Sequence, residues 1–404
     1  MKVKINKGIA KGRVVAPPSK SMAHRMLICA GLSEGTCKVS GIAPSMDVLA
    51  TIDCLEAIGA VCQFKGDILE VTGVDVTKAG PKDVLRCRES GSTLRFFIPI
   101  CLASGAEVTL EGSQRLMERP LGIYDELCKE RGMSFAQNDG KVCVKGPITS
   151  GTFEVLGNVS SQFISGLLFV LPLLDGDSVI KLIPPVESKS YIDMTISALK
   201  CFGVEVNWAD ENTLHIKGNQ KYKCEKADVE GDYSNAAFFE ALNVLGGQVE
   251  IEGLDEKSIQ GDQVYKTMFE ELAISSPTLD ISNCPDLGPI LFAVAGAKNG
   301  AKFTGTARLK IKESDRGQVM AQELSKFGIS VTVLEDEIVV ESKELKIPCE
   351  SIAGHNDHRI VMSNAVLLTL TGGIIEGAEA VSKSFPDFFE KLKTLGIEVE
   401  IIED

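Results

Sequence analysis

The chain has 404 residues, 44% of them hydrophobic and 24% charged, with a formal net charge of −14. That length exceeds one ordinary core and points to two domains, and the acidic balance argues against nucleic acid as the main partner. The 12 cysteines are scattered singly, without a CxxC pair or a Cys/His cluster, so they read as reduced thiols of a cytoplasmic protein rather than a disulfide framework or zinc site. The opening MKVKINKGIAKGRVV lacks an apolar h-region and does not read as a signal peptide. Next comes PPSKSMAHRM, residues 17–26. Pro17 and Pro18 block a helix on their N-terminal side, Ser19 is a good N-cap, and Met22, Met26, Leu27 and Ala30 supply an apolar helical face. Lys20, His24 and Arg25 therefore gather near a helix N-terminus, where cations are unfavourable unless an anion joins them.

An amphipathic helix end, a glycine and a short strand pair then recur along the chain. The glycines are Gly59, Gly132, Gly203, Gly328 and Gly396, each placed as a helix C′ residue. The first three are 73 and 71 residues apart and the last two 68 apart. The gap of 125 residues from Gly203 to Gly328 leaves room for one degenerate copy near FEELAISSPTLDIS. The spacing predicts six α/β units, three in each half, dividing near Val229. The most apolar stretch, FISGLLFVLPLL, is short and contains Pro172, which predicts a buried helix and not a membrane span.

Several further helix starts carry hydroxyls or cations. In chain order they are Gly91–Ser92–Thr93 with Arg95, Ser160–Ser161–Gln162, Ser188–Lys189, Lys312–Glu313 with Arg316, Asp357–His358–Arg359, and Lys383 just before Pro386. Each alone is weak, since a serine there is usually a cap and a lone arginine a solvated charge. Together they predict a cleft for one or two highly anionic small molecules, because helix N-termini bind phosphate and Lys or Arg adds full charge. Neither GxxxxGK[ST] nor GxGxxG is present, which argues against a nucleotide cofactor. Two carboxylates oppose this trend. Asp286 reads equally as an N-cap beside Pro285 or as a proton carrier, and Glu313 equally as an ion-pair partner of Lys312 or Arg316.

The ordered motifs PSKSMAHR, SGSTLR, LMERP, SSQF, SKSYID, KESDR, NDHR and KSFPDFF closely resemble the EPSP synthase (3-phosphoshikimate 1-carboxyvinyltransferase) family over essentially the whole chain. The resemblance implies two inside-out α/β domains, each of three repeated helix–strand units, hinged around a central cleft. It places residues 1–18 with 232–404 in one domain and 19–231 in the other. It implies transfer of the enolpyruvyl group of phosphoenolpyruvate (PEP) to the 5-hydroxyl of shikimate 3-phosphate by addition and elimination, without cofactor or metal, in the shikimate pathway. Glyphosate is the inhibitor it implies at the PEP pocket.

By motif, the implied shikimate 3-phosphate ligands are Lys20, Ser21, Arg25, Ser160, Ser161, Gln162, Ser188, Tyr191, Asp286 and Lys312. The implied PEP ligands are Lys20, Gly91, Arg119, Gln162, Arg316, Arg359 and Lys383. Asp286 resembles the acceptor of the 5-hydroxyl proton, and Glu313 and Lys20 are candidates for proton transfer at the PEP end. The partners expected are these two small molecules only, with no nucleic acid or membrane, and the chain is expected to act as a monomer in the cytoplasm. Two departures stand out: Glu89-Ser90-Gly91-Ser92 replaces the frequent Asn-Ala-Gly-Thr, and Arg308 stands where some relatives carry Asn.

Two other readings compete. UDP-N-acetylglucosamine enolpyruvyl transferase uses PEP on a similar fold but relies on a loop cysteine, and no Cys lies between Cys101 and Cys128. A non-catalytic phosphosugar-binding protein on the same scaffold accounts for the cations but not for Asp286 and Glu313 beside them.

Overall fold

The computed structural model describes residues 1–402 apart from residues 79 and 139. The chain divides into two compact units, a central unit Pro18–Glu230 and a terminal unit of Met1–Pro17 with Gly231–Asp404. Each chain crossing thus lies one residue before the boundary expected from the sequence. The backbone explains why. Ser19 N–H donates to the Glu230 carbonyl at 2.8 Å, closing the central unit, and Asp232 N–H donates to the Pro17 carbonyl at 2.8 Å, closing the terminal one.

The central unit contains α1 (Lys20–Gly31), α2 (Met46–Ile58), α3 (Gly91–Cys101), α4 (Gln114–Met117), α5 (Gly122–Glu130), α6 (Ser161–Val170) and α7 (Lys189–Cys201). Its three four-stranded sheets share one plan. In the first the order is Lys226–Asp228, Thr36–Ser40, Ile68–Thr72, Val61–Lys65, with the outermost pair parallel and the rest antiparallel. The second begins with Leu85–Arg86 and the third with Thr152–Leu156, each again parallel to its neighbour. Helices such as α3 and α6 are apolar nearly all round and buried along most of their length, so they form the interior while the sheets alternate buried and exposed residues.

The terminal unit contains α8 (Tyr233–Val244), α9 (Tyr265–Ile274), α10 (Gly288–Ala297), α11 (Arg316–Lys326), α12 (His358–Thr371) and α13 (Phe388–Thr394). One sheet repeats the central plan, Thr278–Asp280, Ala301–Thr304, Glu337–Glu341, Ser330–Val333. In a second sheet the N-terminal strand Lys2–Ile5 inserts between Gly373–Glu376 and Val399–Ile402, antiparallel to both. The third is reduced to Lys11–Val15 and Gln248–Glu252, paired in parallel. This is the degenerate copy: α9 ends at Ile274 and runs straight into Thr278–Asp280 of the next sheet, without a glycine and hairpin of its own. Each unit has its own buried apolar cluster.

The five repeat glycines all have positive φ, between 69° and 106°. After each, the next residue's N–H reaches back five positions to a helical carbonyl: Ala60 to Leu55, Met133 to Cys128, Val204 to Leu199, Ile329 to Leu324 and Ile397 to Leu392. These are Schellman caps, and a side chain there is strained, which is why glycine marks each helix end. Among the described residues no helix is long and apolar enough to cross a membrane.

Candidate active site

In the terminal unit, charge gathers around Asp286. Asp286 lies in the short 3₁₀ turn Pro285–Leu287 that feeds α10, and its side chain caps no helix. Its Oδ1 accepts from Lys312 Nζ at 3.0 Å and from Arg316 Nη1 at 2.9 Å, and its Oδ2 from Arg359 Nη2 at 3.2 Å. Arg359 Nη1 also donates to the Asp286 carbonyl at 3.0 Å, which fixes the turn as well as the carboxylate. The cap reading of Asp286 therefore fails. Burial opposes its charged form, but Arg359, Lys312 and Arg316 together outweigh it and hold the carboxyl well below the ordinary carboxylate range.

Arg316 begins α11 and is fully buried. It spreads its donors over three carboxylates, with Nε to Asp357 Oδ2 at 2.9 Å, Nη2 to Glu313 Oε2 at 2.8 Å and Nη1 to Asp286. Burial alone lowers its pKa, yet Asp357, Glu313 and Asp286 raise it overall. Asp357 also caps α12, its Oδ1 accepting from Arg359 N–H at 3.0 Å, and Ser314 Oγ donates to its Oδ2 at 3.0 Å. Lys312 is lowered by burial, with Asp286 opposing. Lys383 ends the 3₁₀ helix Ala378–Lys383 and donates to the Asn356 carbonyl at 2.6 Å, one residue before Asp357. It does not start a helix as its place before Pro386 suggested, since α13 begins at Phe388 behind Asp387.

In the central unit, α1 presents Lys20, Ser21 and Arg25. Ser19 caps it, accepting from Met22 N–H at 3.4 Å. Lys20 Nζ pairs with Asp47 Oδ2 of α2 at 2.8 Å, both side chains mostly buried. Arg25 is buried, lies over the Phe96 ring at 5.3 Å, and among the described residues hydrogen-bonds only neutral oxygens: Nε to Thr195 Oγ1 at 2.8 Å, Nη1 to the Ser21 carbonyl at 2.7 Å and Nη2 to the Tyr191 carbonyl at 2.9 Å. No carboxylate pairs with it among the described residues. Burial lowers its pKa to about 10, so it stays charged at neutral pH. A buried cation without a counter-charge is costly and is relieved by an arriving anion. Beside it Ser188 stands at the N-cap position of α7 in the left-handed region at φ 54°, without a side-chain cap hydrogen bond, and Thr195 of the same helix hydrogen-bonds Ser165 of α6 at 2.7 Å.

The start of α3 forms a second patch. Gln162 bridges it to α6, with Oε1 accepting from Arg95 Nη1 at 2.7 Å and Nε2 donating to Ser92 Oγ at 2.9 Å. Ser160 caps α6 through Gln162 N–H at 3.3 Å, and Ser161 is buried behind it. Gly91 opens α3 against the buried Arg119: a Cβ added to Gly91 falls 2.5 Å from Arg119 Nη1. Glu89 is half-buried, and the buried Arg308 donates from Nη2 to the Ser282 carbonyl.

The structure thus assembles Lys312, Arg316 and Arg359 around the Asp286 carboxylate, with Glu313 paired to Arg316 and Lys383 anchored alongside Asp357. It assembles Lys20, Ser21, Arg25 and Tyr191 along α1 and α7, and Gly91, Arg119 and Gln162 at the start of α3. Asp47, Asp357 and Thr195 were absent from the residues singled out as ligands. Asp47 follows the cap Ser45 and Asp357 precedes an apolar run, so each reads as a helix-start residue. Thr195 lies mid-helix and carries no signal at all. Among the described residues no group of three or more His, Cys, Asp or Glu is placed to hold a metal ion.

The model of the family EPSP synthase (3-phosphoshikimate 1-carboxyvinyltransferase) matches residues 6–392. A relative from Clostridium acetobutylicum named 3-phosphoshikimate 1-carboxyvinyltransferase is 41% identical over 419 residues, covering 98% of each chain. One of the same name from Clostridium kluyveri is 38% identical over 419 residues, also covering 98% of each. Among solved structures, an EPSP synthase from Acinetobacter baumannii is similar with a TM-score of 0.78 and 25% identity, over 99% of this chain and 100% of that one.

Proposed function

Because this chain belongs to the EPSP synthase family and carries the 3-phosphoshikimate 1-carboxyvinyltransferase activity, we propose how its own residues divide the reaction. The reaction joins the 5-hydroxyl of shikimate 3-phosphate to C2 of PEP while C3 gains a proton. The tetrahedral ketal phosphate then loses phosphate and a C3 proton to give the enol ether. Both substrates are multiply anionic, so binding needs concentrated positive charge, and both steps need proton transfer.

Arg25, Lys20 and the hydroxyls of Ser21, Ser160, Ser161 and Ser188, with Gln162, Tyr191 and Lys312, take shikimate 3-phosphate. Arg119, Gln162, Arg316, Arg359, Lys383 and Lys20 take the carboxylate and phosphate of PEP, which reaches the backbone at Gly91. Asp286 accepts the 5-hydroxyl proton, and Glu313 and Lys20 exchange protons with PEP C3.

The observation that carries this reading is the Asp286 carboxylate ringed by Lys312, Arg316 and Arg359. In that ring Asp286 is a weak base, because three cations stabilise its charged form. PEP draws on two of these cations, Arg316 and Arg359, so its arrival weakens their hold on Asp286 and moves the carboxyl back toward a useful basicity. The substrate thereby switches on the base that deprotonates its partner.

The experiment is phosphate release from shikimate 3-phosphate plus PEP, against each alone, for the parent and for Asp286→Ala. Release from the parent should need both substrates. Turnover of Asp286→Ala should fall by about 10²–10⁴ while the Michaelis constants change much less. Near-parental turnover in the variant removes Asp286 from the reaction. UDP-N-acetylglucosamine in place of shikimate 3-phosphate should release none.

A further inference from the structure

His24 lies in the segment that opens α1, yet no substrate contact proposed above uses it. It is 1% exposed. Its Nδ1 lies 2.7 Å from Thr51 Oγ1 of α2. Thr51 Oγ1 lies 2.8 Å from Thr93 Oγ1 of α3. Thr93 Oγ1 donates to Ser90 Oγ at 2.7 Å, and Ser90 Oγ also accepts the Thr93 N–H at 3.2 Å as the N-cap of α3. Ser90, Thr51 and Thr93 are all buried. One continuous polar chain therefore runs from α1 through α2 to the cap of α3.

Its proton order can be worked out link by link. The single hydroxyl proton of Thr93 is used on Ser90, so Thr51 is the donor in the contact between the threonines. Thr51 has then used its own proton, so His24 Nδ1 must supply the one between them. The ring is held neutral, since burial, then Lys20 and Arg25 nearby, push its pKa well below the usual value. Nε2 is left as an acceptor lone pair, and no hydrogen-bond partner reaches it. A bare lone pair is the more tolerable orphan, since buried N–H groups are almost always paired.

We propose that His24 is a positioning residue, held as the neutral Nδ1–H tautomer, that fixes α1 with Lys20, Ser21 and Arg25 against the start of α3 with Gly91 and Ser92. Apolar packing between helices is non-directional, whereas a hydrogen-bonded chain sets register and rotation. The inference rests on the assignment of these two helix starts to the substrates.

The test exploits which ring nitrogen is used. An asparagine amide nitrogen is bonded to Cγ, as Nδ1 is, and can donate to Thr51. A glutamine amide nitrogen lies one bond further out, as Nε2 does, and cannot donate there without displacing the chain. Steady-state kinetics should show His24→Ala and His24→Gln raising KM for PEP about tenfold with kcat within about threefold, and His24→Asn restoring KM to within about twofold of the parent. Equal KM values for the Asn and Gln variants, or a parental KM in a folded His24→Ala, would overturn the proposal. A second measurement needs no substrate. Nitrogen-15 spectra of the imidazoles, with His24 identified by its loss in His24→Asn, should show Nδ1 protonated; a protonated Nε2 overturns the proton order. If the parent itself releases no phosphate, the functional reading fails, while the tautomer still reports on the chain.

Discussion

The two units balance their buried cations in opposite ways. Around Asp286, the cations Lys312, Arg316 and Arg359 are already neutralised by carboxylates. Along α1, Arg25 is oriented by a hydroxyl and two carbonyls and keeps its whole charge. The first arrangement is stable without a ligand, and an incoming anion must compete with Asp286 for its donors. The second carries a standing desolvation cost that only an anion removes. Affinity for the first anion should therefore come chiefly from α1, and control of proton transfer chiefly from the Asp286 ring.

The largest effect expected is at Arg25. Arg25→Ala should raise KM for shikimate 3-phosphate by roughly 10²–10³, the range expected for losing a hydrogen-bonded buried charge contact. Arg25→Lys should recover little, since an ammonium cannot reach Thr195, Ser21 and Tyr191 with a planar fork. Isothermal titration with shikimate 3-phosphate checks both. If Arg25→Ala binds it as tightly as the parent, the contrast between the units collapses.

A middle effect is expected at Gly91. A methyl group there meets Arg119 Nη1 at 2.5 Å, so Arg119 must shift. Gly91→Ala should raise KM for PEP about tenfold, by disturbing a charge-assisted contact. Glyphosate inhibition should weaken at least as much, and shikimate 3-phosphate binding should stay near the parent. Inhibition kinetics with all three compounds distinguish this from general damage to α3.

The smallest effect concerns stability against pH, and it separates the units most directly. The folded pKa of Asp286 is depressed. Its stabilising contribution is therefore present above the unfolded carboxyl pKa of about 4 and is lost as pH falls through the lower, folded value. Asp286→Asn should melt below the parent by a few degrees at pH 7, and the gap should close in acid below about pH 4. Arg25 has no carboxylate partner, so the melting gap between Arg25→Ala and the parent should not narrow over that acid range. Parallel curves for Asp286→Asn and the parent would show that its ring of cations adds nothing to the folded state.

The repeated helix ends were legible because they are local. Gly59 and its four counterparts sit next to the carbonyls they help to satisfy, and Ser19 is three residues from the N–H it caps. The degenerate copy announced itself as a gap in that spacing. Local signals were misleading where one residue type serves two ends. Asp286 beside Pro285 looks like a cap and is an ion-pair centre, while Asp357 is both at once. Lys383 beside Pro386 looks like a helix start, but the chain turns through a 3₁₀ helix first.

The amino-acid order alone determined the helix caps, the buried helices and the supply of cations and hydroxyls near helix starts, because backbone satisfaction and apolar periodicity act over a few residues. It could not determine which charges neutralise one another. Lys20 meets Asp47 from 27 positions away, Arg316 meets Asp357 from 41, and Arg25 meets Thr195 from 170. Only the tertiary structure decided those pairings, and with them that Arg25 remains uncompensated while Asp286 is surrounded, because electrostatic energy depends on distance and burial in space and not on separation along the chain.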